Sequence, residues 1–356
     1  MAFNRKQKLR DNIEAIRTAF ILDREQRTPT ARERLLLERY CGFGGLKCIL
    51  NPARELADAV HWAKSDLELF APTVELHRLI RENSKNESEY KQLMDSLKQS
   101  VLTAFYTPSA VTEALTDVLK EHQIIPEKVL EPSAGIGAFV DSVLDNNPKA
   151  DIMAFEKDLL TGKILRHLHP EQKVRIEGFE KIEKPFNDYF DLAISNIPFG
   201  DVAVFDPSYT AMKGMRALVT RRIHNYFFVK ALDTVRDGGL VAFITSQGVL
   251  NAKNNSAARF MMLYHADLVS AIRLPNNLFT ENANTEVGSD LIILQKNSQK
   301  ESLRGDDNLL DTVYNDENRI PTNNYFLEHP ERIIHTTAKL DTDPFGKPAM
   351  IYTHED

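Results

Sequence analysis

The chain has 356 residues, 42% hydrophobic and 27% charged, with a formal net charge of −7. This is an ordinary globular composition with chain enough for one large domain or two, and it excludes wholesale disorder and a surface that is basic all over. No apolar run approaches the ~20 residues of a membrane span, the start Met1-Ala2-Phe3-Asn4-Arg5-Lys6 lacks the apolar core of a signal peptide, and Cys41 and Cys48 have no second pair to form a zinc site or a disulfide framework. The expectation is a cytoplasmic protein with no membrane partner and no metal.

Leu9, Ile13, Ile16 and Phe20 recur at helical spacing and predict an amphipathic helix over 4–26. Thr28-Pro29-Thr30 interrupts it, and a second helix over 34–40 ends at Gly42-Phe43-Gly44-Gly45, which reads as a helix stop and turn or as a loop pressed against the domain that follows. Segments 75–81 and 87–102 are helical too, so 1–103 is expected to be an all-helical segment. In Phe105-Tyr106-Thr107-Pro108, Thr107 is the expected N-cap and Pro108 the first residue of a helix running to about residue 121.

From residue 129 strands and helices alternate, which implies a parallel sheet covered on both faces. Val129-Leu130 ends a buried strand, Gly135 and Gly137 form a tight loop, and a helix starts at Ala138, the arrangement of a nucleotide-binding α/β unit. A dinucleotide needs a free helix N-terminus for its pyrophosphate, whereas Glu131 beside this loop repels phosphate. A cationic ligand without phosphate suits it better, and S-adenosylmethionine, with a sulfonium and an ammonium, is one. The glycine loop taken alone also fits an ordinary tight turn. A strand over 151–155 ends in Glu156, nineteen residues after Gly137, where an acid can bind both ribose hydroxyls. A third strand over 173–177 leads into Gly178-Phe179-Glu180.

The strand 191–194 is followed by Ser195-Asn196-Ile197-Pro198-Phe199-Gly200. Methylation of an exocyclic amine requires its lone pair to be freed from the ring, and two hydrogen-bond acceptors on the amino hydrogens do this. Asn196 and the carbonyl of Ile197 supply such acceptors, and Phe199 can stack on a base turned out of its helix. The structural alternative is an Asn-initiated turn with a core Phe. Lys213, Arg216, Arg221 and Arg222 then form a basic stretch, a candidate nucleic-acid contact on an otherwise acidic chain. Arg5, Lys6, Lys8 and Arg10 are a weaker candidate. Helices over 225–235 and 255–264 and strands over 239–245, 268–274 and 291–294 follow, the last two strands joined by a long polar loop. Residues 297–356 are rich in Asp, Asn, Thr and Pro, expected as short elements or irregular chain, too short for a separate recognition domain.

Together the glycine loop and the Asn-Ile-Pro-Phe turn resemble the amino-methyltransferases, specifically the N6-adenine DNA methyltransferases, whose signature after the fourth strand is Asn or Asp, Pro, Pro, then Phe or Tyr. Here Ile197 takes the first proline position, which needs only a backbone carbonyl. The resemblance implies a Rossmann-like seven-stranded sheet with an antiparallel last strand over 104–296, and S-adenosylmethionine as cofactor. It implies that Phe105, Tyr106, Thr107 and Pro108 close over the methionine end, that Glu131, Pro132, Ser133, Ala134, Gly135 and Gly137 form the cofactor loop, and that Glu156 takes the ribose. Either Phe179 or Glu180 would lie beside the cofactor adenine, and Asn196 would border both ligands, with Asn196, Ile197, Pro198 and Phe199 as the catalytic turn. The motif order resembles that of the gamma group, and the whole chain resembles the methylase portion of methylase-helicase polypeptides of bacterial mobile elements. DNA is then the expected partner, with a helicase or target-recognition unit supplying specificity. An amine in RNA or protein, or a non-catalytic cofactor- or DNA-binding subunit, are the alternatives at this stage.

Overall fold

The computed structural model describes residues 4–103, 107–212, 214–280, 286–303, 307–314, 319–343 and 346–355. Helix α1 (Arg5–Glu25) starts where Asn4 accepts from the Gln7 N–H at 3.0 Å, and it buries Leu9, Ile13, Ile16 and Phe20, the predicted stripe. Helix α2 (Ala31–Glu38) begins earlier than 34 because Thr30 and Glu33 cap one another's backbone N–H groups. Three short 3₁₀ turns precede α3 (Phe70–Glu82) and α4 (Glu87–Thr103). The glycine cluster is a turn held within the helical segment: Gly42 O accepts from Asn12 at 2.6 Å, Gly44 O accepts from Lys8 at 3.3 Å, and the Phe43 N–H donates to Ser100 at 3.2 Å.

The sheet segment begins with α5 (Ser109–Glu121). Its start corrects the capping expectation: Pro108 itself occupies the cap position in extended conformation and no side chain caps the helix. Thr107 is thus one residue too early for its hydroxyl to meet the first turn's free N–H groups. There follow β1 (Lys128–Glu131), α6 (Ala138–Asn146), β2 (Asp151–Phe155), α7 (Leu159–Leu168), β3 (Lys173–Arg175) and β4 (Phe190–Asn196). Next come α8 (Pro207–Thr210), α9 (Met215–Val219), α10 (Ile223–Thr234), β5 (Val235–Ser246), α11 (Gly248–Asn251), α12 (Ser256–His265), β6 (Ala266–Leu274) and β7 (Ser289–Lys296). The strand order is β3-β2-β1-β4-β5-β7-β6, parallel except that β7 runs antiparallel to both neighbours. This is the expected seven-stranded sheet behind a helical N-terminal region.

Three apolar cores fix its surroundings. Val129, Ile152, Leu192 and Ile244 pack with Phe139 and Val143 of α6 on one face. Phe155, Ala193 and Phe243 pack with Tyr226 and Phe228 of α10 and Met262 of α12 on the other. The N-terminal helices form the third core, which takes in Leu160, Ile164 and Leu168, so this segment docks on α7. Arg34 donates to the Leu168 carbonyl at 2.6 Å, and Ser96 on α4 donates to Asp158 at 2.6 Å, just before α7. The C-terminal residues are folded onto the sheet: Leu309, Tyr325 and Phe326 join the α10 core, and Asn323 donates to the carbonyls of Leu250 and Leu309, each at 2.9 Å. A separate antiparallel hairpin, Thr337–Thr342 with Pro348–Thr353, ends the chain.

Candidate active site

Parallel strands gather their loops at one edge, where Glu131, Glu156 and Asn196 stand at the carboxyl ends of β1, β2 and β4. The loop after β1 is stitched to its neighbours. The Ala134 N–H donates to the Phe155 carbonyl at 2.9 Å, the Gly135 N–H donates to Glu156 Oε2 at 2.8 Å, and the Ser195 hydroxyl donates to the Ser133 carbonyl at 3.2 Å. Gly135 and Gly137 adopt φ of 57° and 98°. At Gly137 a Cβ would lie 2.4 Å from His169 Nε2 and 2.9 Å from Leu165 Cδ1, so the loop admits no side chain there. Pro132 is buried beneath it.

Two acids face this loop. Glu131 is buried, and its Oε2 has no hydrogen-bond partner. Burial, reinforced by the charges of Asp141 and Glu156, holds its carboxyl well above the ordinary carboxylate range. Glu156 accepts from the N–H groups of Gly135 at 2.8 Å and Asp158 at 2.7 Å. Burial and the neighbouring Asp158 raise its carboxyl to about 8. An orphaned acceptor at the mouth of a cradle that tolerates only glycine suits a cationic ligand carrying hydroxyls and does not suit phosphate. These residues therefore fit S-adenosylmethionine.

Asn196 is the last residue of β4, in register with Ile244 of β5. The Ile197 N–H donates to the Ile244 carbonyl at 3.0 Å and its side chain is buried. A proline cannot make that bond; isoleucine replaces the rigidity of a fixed φ with one more rung of sheet pairing. Pro198 and Phe199 are partly buried at the rim, Phe199 packing against the sheet core, and Gly200 turns the chain away at φ 132°.

Other expected contacts fall differently. Phe105, Tyr106 and Lys213 lie outside the described residues; Thr107 and Pro108 are partly buried at the start of α5. Phe179 cannot offer a face to the cofactor adenine: it is 1% exposed, with its ring centroid 5.8 Å from that of Phe155 and 5.3 Å from that of Phe227. Glu180 is partly exposed, with its carboxylate against Gly178. The basic stretch is mostly spent inside the protein. Arg216 forks onto Asp233 at 2.6 and 2.9 Å, and Arg222 pairs with Asp201 at 2.7 Å and donates to Asn254 at 2.6 Å, which leaves Arg221 exposed. In the N-terminal run, Lys8 is buried and Arg5 pairs with Asp66 at 2.8 Å.

Sequence reading missed Asp206, buried and bonded to Tyr226 at 2.7 Å and Lys230 at 3.2 Å, which pins the segment after the catalytic turn. Asp206-Pro207 is an N-cap and N1 pair, so a signal was there. His224, buried at the start of α10, carried none.

A family model described as N-6 DNA Methylase matches residues 88–350. Over 201 residues the chain is 29% identical to "Defense against restriction protein B" of Escherichia phage P1, covering 55% of this chain and 8% of that protein. Over 173 residues it is 25% identical to "Type II methyltransferase M.XamI" of Xanthomonas campestris pv. amaranthicola, covering 45% of this chain and 33% of that protein. The chain thus spans a third or less of the curated relatives it matches. The type IIG restriction endonuclease BpuSI is a similar solved structure, at 17% identity and a TM-score of 0.45, over 84% of this chain and 38% of that one. Both motifs and the whole seven-stranded sheet lie inside the matched span, and the chain belongs to the N-6 DNA methylase family.

Proposed function

We propose that this chain is the catalytic unit of an adenine-specific DNA methyltransferase, with S-adenosylmethionine as cofactor and N6 of an extruded adenine as acceptor. The observation that carries the reading is the Asn196–Ile197 turn at the end of β4, joined through Ser195 and Ser133 to a glycine loop that begins at an orphaned carboxyl. When bound, S-adenosylmethionine supplies an electrophilic methyl on a sulfonium. The chain's own work is positional. Glu131 faces the cation and Glu156 the ribose; Asn196 and the Ile197 carbonyl accept the two amino hydrogens and direct the nitrogen lone pair; Phe199 stacks on the base. The proton leaves after transfer, so no strong general base is needed. Residues 1–103, 104–296 and 297–356 are read as a helical segment, the methyltransferase domain and a C-terminal extension. The phage relative supports placing the chain in a mobile-element or restriction-modification protein, which is read as acting in the bacterial cytoplasm. There a helicase or recognition unit would add sequence specificity. No helix among the described residues is long and apolar enough to cross a membrane.

The test is labelled S-adenosylmethionine offered with duplex DNA, single-stranded DNA, RNA and whole-cell protein, followed by digestion and mass analysis. N6-methyladenine in DNA is expected. Label in RNA or protein would change the acceptor, and binding without transfer would make the chain a non-catalytic subunit.

Cofactor binding should also depend on pH. Glu156, raised to about 8, holds its proton at pH 7 in the free protein, and the Glu131 carboxyl is raised as well. A cation favours the ionised forms, so binding releases protons and tightens as pH rises. Affinity is expected to increase by about tenfold from pH 6.5 to 8.5 as Glu156 ionises, with proton release in calorimetry and a flattened profile in Glu156→Gln. The stability sign is opposite. Glu156 keeps its proton when folded up to about 8 but loses it when unfolded at its ordinary value, so its contribution is present at low pH and lost as pH rises through 8. Affinity that does not change with pH would mean that Glu156 does not change protonation when the cofactor binds.

A further inference from the structure

The base-binding side of the site contains a second set of polar groups that the mechanism above leaves unused. Helix α10 runs antiparallel to the strands it covers, so its first turn lies at the same sheet edge as Asn196. His224 in that turn is 4% exposed, yet neither ring nitrogen has a hydrogen-bond partner. Beside it, Asn225 is 5% exposed with Oδ1 unpartnered, and Thr245, fully buried at the end of β5, has an unpartnered hydroxyl. A ring of contacts holds these groups in place. Arg222 pairs with Asp201, five residues beyond Asn196, and Asn225 donates to Asn255 at 2.8 Å. Asn255 in turn donates to the Gly248 carbonyl at 2.8 Å, just past β5. Thr245 follows Ile244, whose carbonyl holds the Ile197 N–H.

Buried polar atoms are nearly always paired, and leaving one unpaired is costly. Three residues with orphaned atoms at the sheet edge where the proposed acceptor base would enter are unlike ordinary core. Their chemistry is also specific. Burial and the Arg222 guanidinium, against an opposing Asp201, push the His224 imidazole down to about 4, so it is neutral at pH 7 with one N–H to donate and one nitrogen to accept. A purine whose amino group is held by Asn196 still presents unsatisfied ring nitrogens, which accept hydrogen bonds only.

We infer that His224 is a base-holding residue: its ring N–H donates to a ring nitrogen of the extruded adenine, while Asn225 and Thr245 line the same wall. Asn196 and Ile197 read the amine; His224 reads the ring beside it and fixes the base in plane. The inference rests on the proposed base methylation and deepens it.

The experiment compares the parent chain with His224→Met and His224→Gln. His224→Met removes an unsatisfied buried polar group at nearly conserved volume, so its unfolding midpoint without substrate should equal or exceed the parent's. Its S-adenosylmethionine affinity should stay within about twofold. Methyl transfer to DNA should fall roughly tenfold in kcat/KM, carried mainly by KM, with partial recovery in His224→Gln. In an oligonucleotide with the parent's mapped site, the parent should lose the same factor on whichever of 1-, 3- or 7-deazaadenine lacks the bonded nitrogen. His224→Met should lose nothing further on that analogue. Loss of stability, cofactor binding and transfer together would make His224 structural, and parental transfer by His224→Met would remove it from the base; either overturns the inference. A parent chain that methylates no nucleic acid overturns the proposed function, and the role of His224 with it.

Discussion

Replacing Asn196 by alanine is expected to lower methyl transfer by roughly 10²–10³-fold or more, a magnitude typical of removing one preorganised hydrogen-bonding group aimed at developing charge, while S-adenosylmethionine affinity stays within about twofold. The asymmetry follows from position. The amide sits at the last residue of β4, whereas the acids proposed to face the cofactor stand at the end of β1 and just after β2. Without the amide the amine keeps one acceptor, the Ile197 carbonyl, and its lone pair stays conjugated with the ring. Asn196→Asp keeps an acceptor and should retain part of the activity. Cofactor binding by equilibrium dialysis, set beside single-turnover transfer, separates the two effects. An equal loss in both would mean that Asn196 serves the cofactor and that the acceptor geometry lies elsewhere.

Much of this site is legible in the amino-acid order because it depends on local backbone chemistry. Gly135 and Gly137 stand where φ is positive and Glu156 stands at a strand end, and both facts follow from strand, loop and helix succession. The sheet is legible for the same reason: alternation of apolar strands and amphipathic helices specifies a parallel sheet, and the terminal hairpin places its antiparallel strand. What spacing cannot show is which charges are already consumed. Arg216 and Arg222 look like a phosphate-binding run, but their partners are brought in by the fold, Asp233 from α10 and Asp201 from the loop before α8. Phe179 likewise has the aromatic character of an adenine-stacking residue. Only packing against Phe155 and Phe227 shows that its ring is buried. The capping misreading at Thr107 is a single-residue shift of a helix boundary, where local preference is weakest.

Asp290→Asn is expected to cost about 3–5 kcal/mol of stability, the usual penalty for leaving a buried charge without its partner. Asp290 is fully buried on β7 and Arg273 on β6 is 3% exposed, joined by hydrogen bonds of 2.9 and 3.2 Å. Arg273 also donates to Asn251 at 3.0 Å and lies 4.2 Å from the Phe326 ring centroid, so one guanidinium ties the sheet edge to α11 and to the C-terminal residues. Burial pushes the Asp290 carboxyl up even with Arg273 beside it, which shows how costly the ionised form is at this depth. Replacing both charges, as in Arg273→Met with Asp290→Leu, should recover most of the loss in urea unfolding, since no charge is then left unpaired. A double variant as unstable as the single one would mean that the contacts to Asn251 and Phe326, and not the ion pair, hold the edge. The functional consequence should be one-sided as well. Asp290 pairs in register with Thr245, on the base side of the sheet, while Glu131 and Glu156 lie across β4 from it. Below its unfolding midpoint Asp290→Asn should therefore bind S-adenosylmethionine as the parent does and lose transfer to DNA.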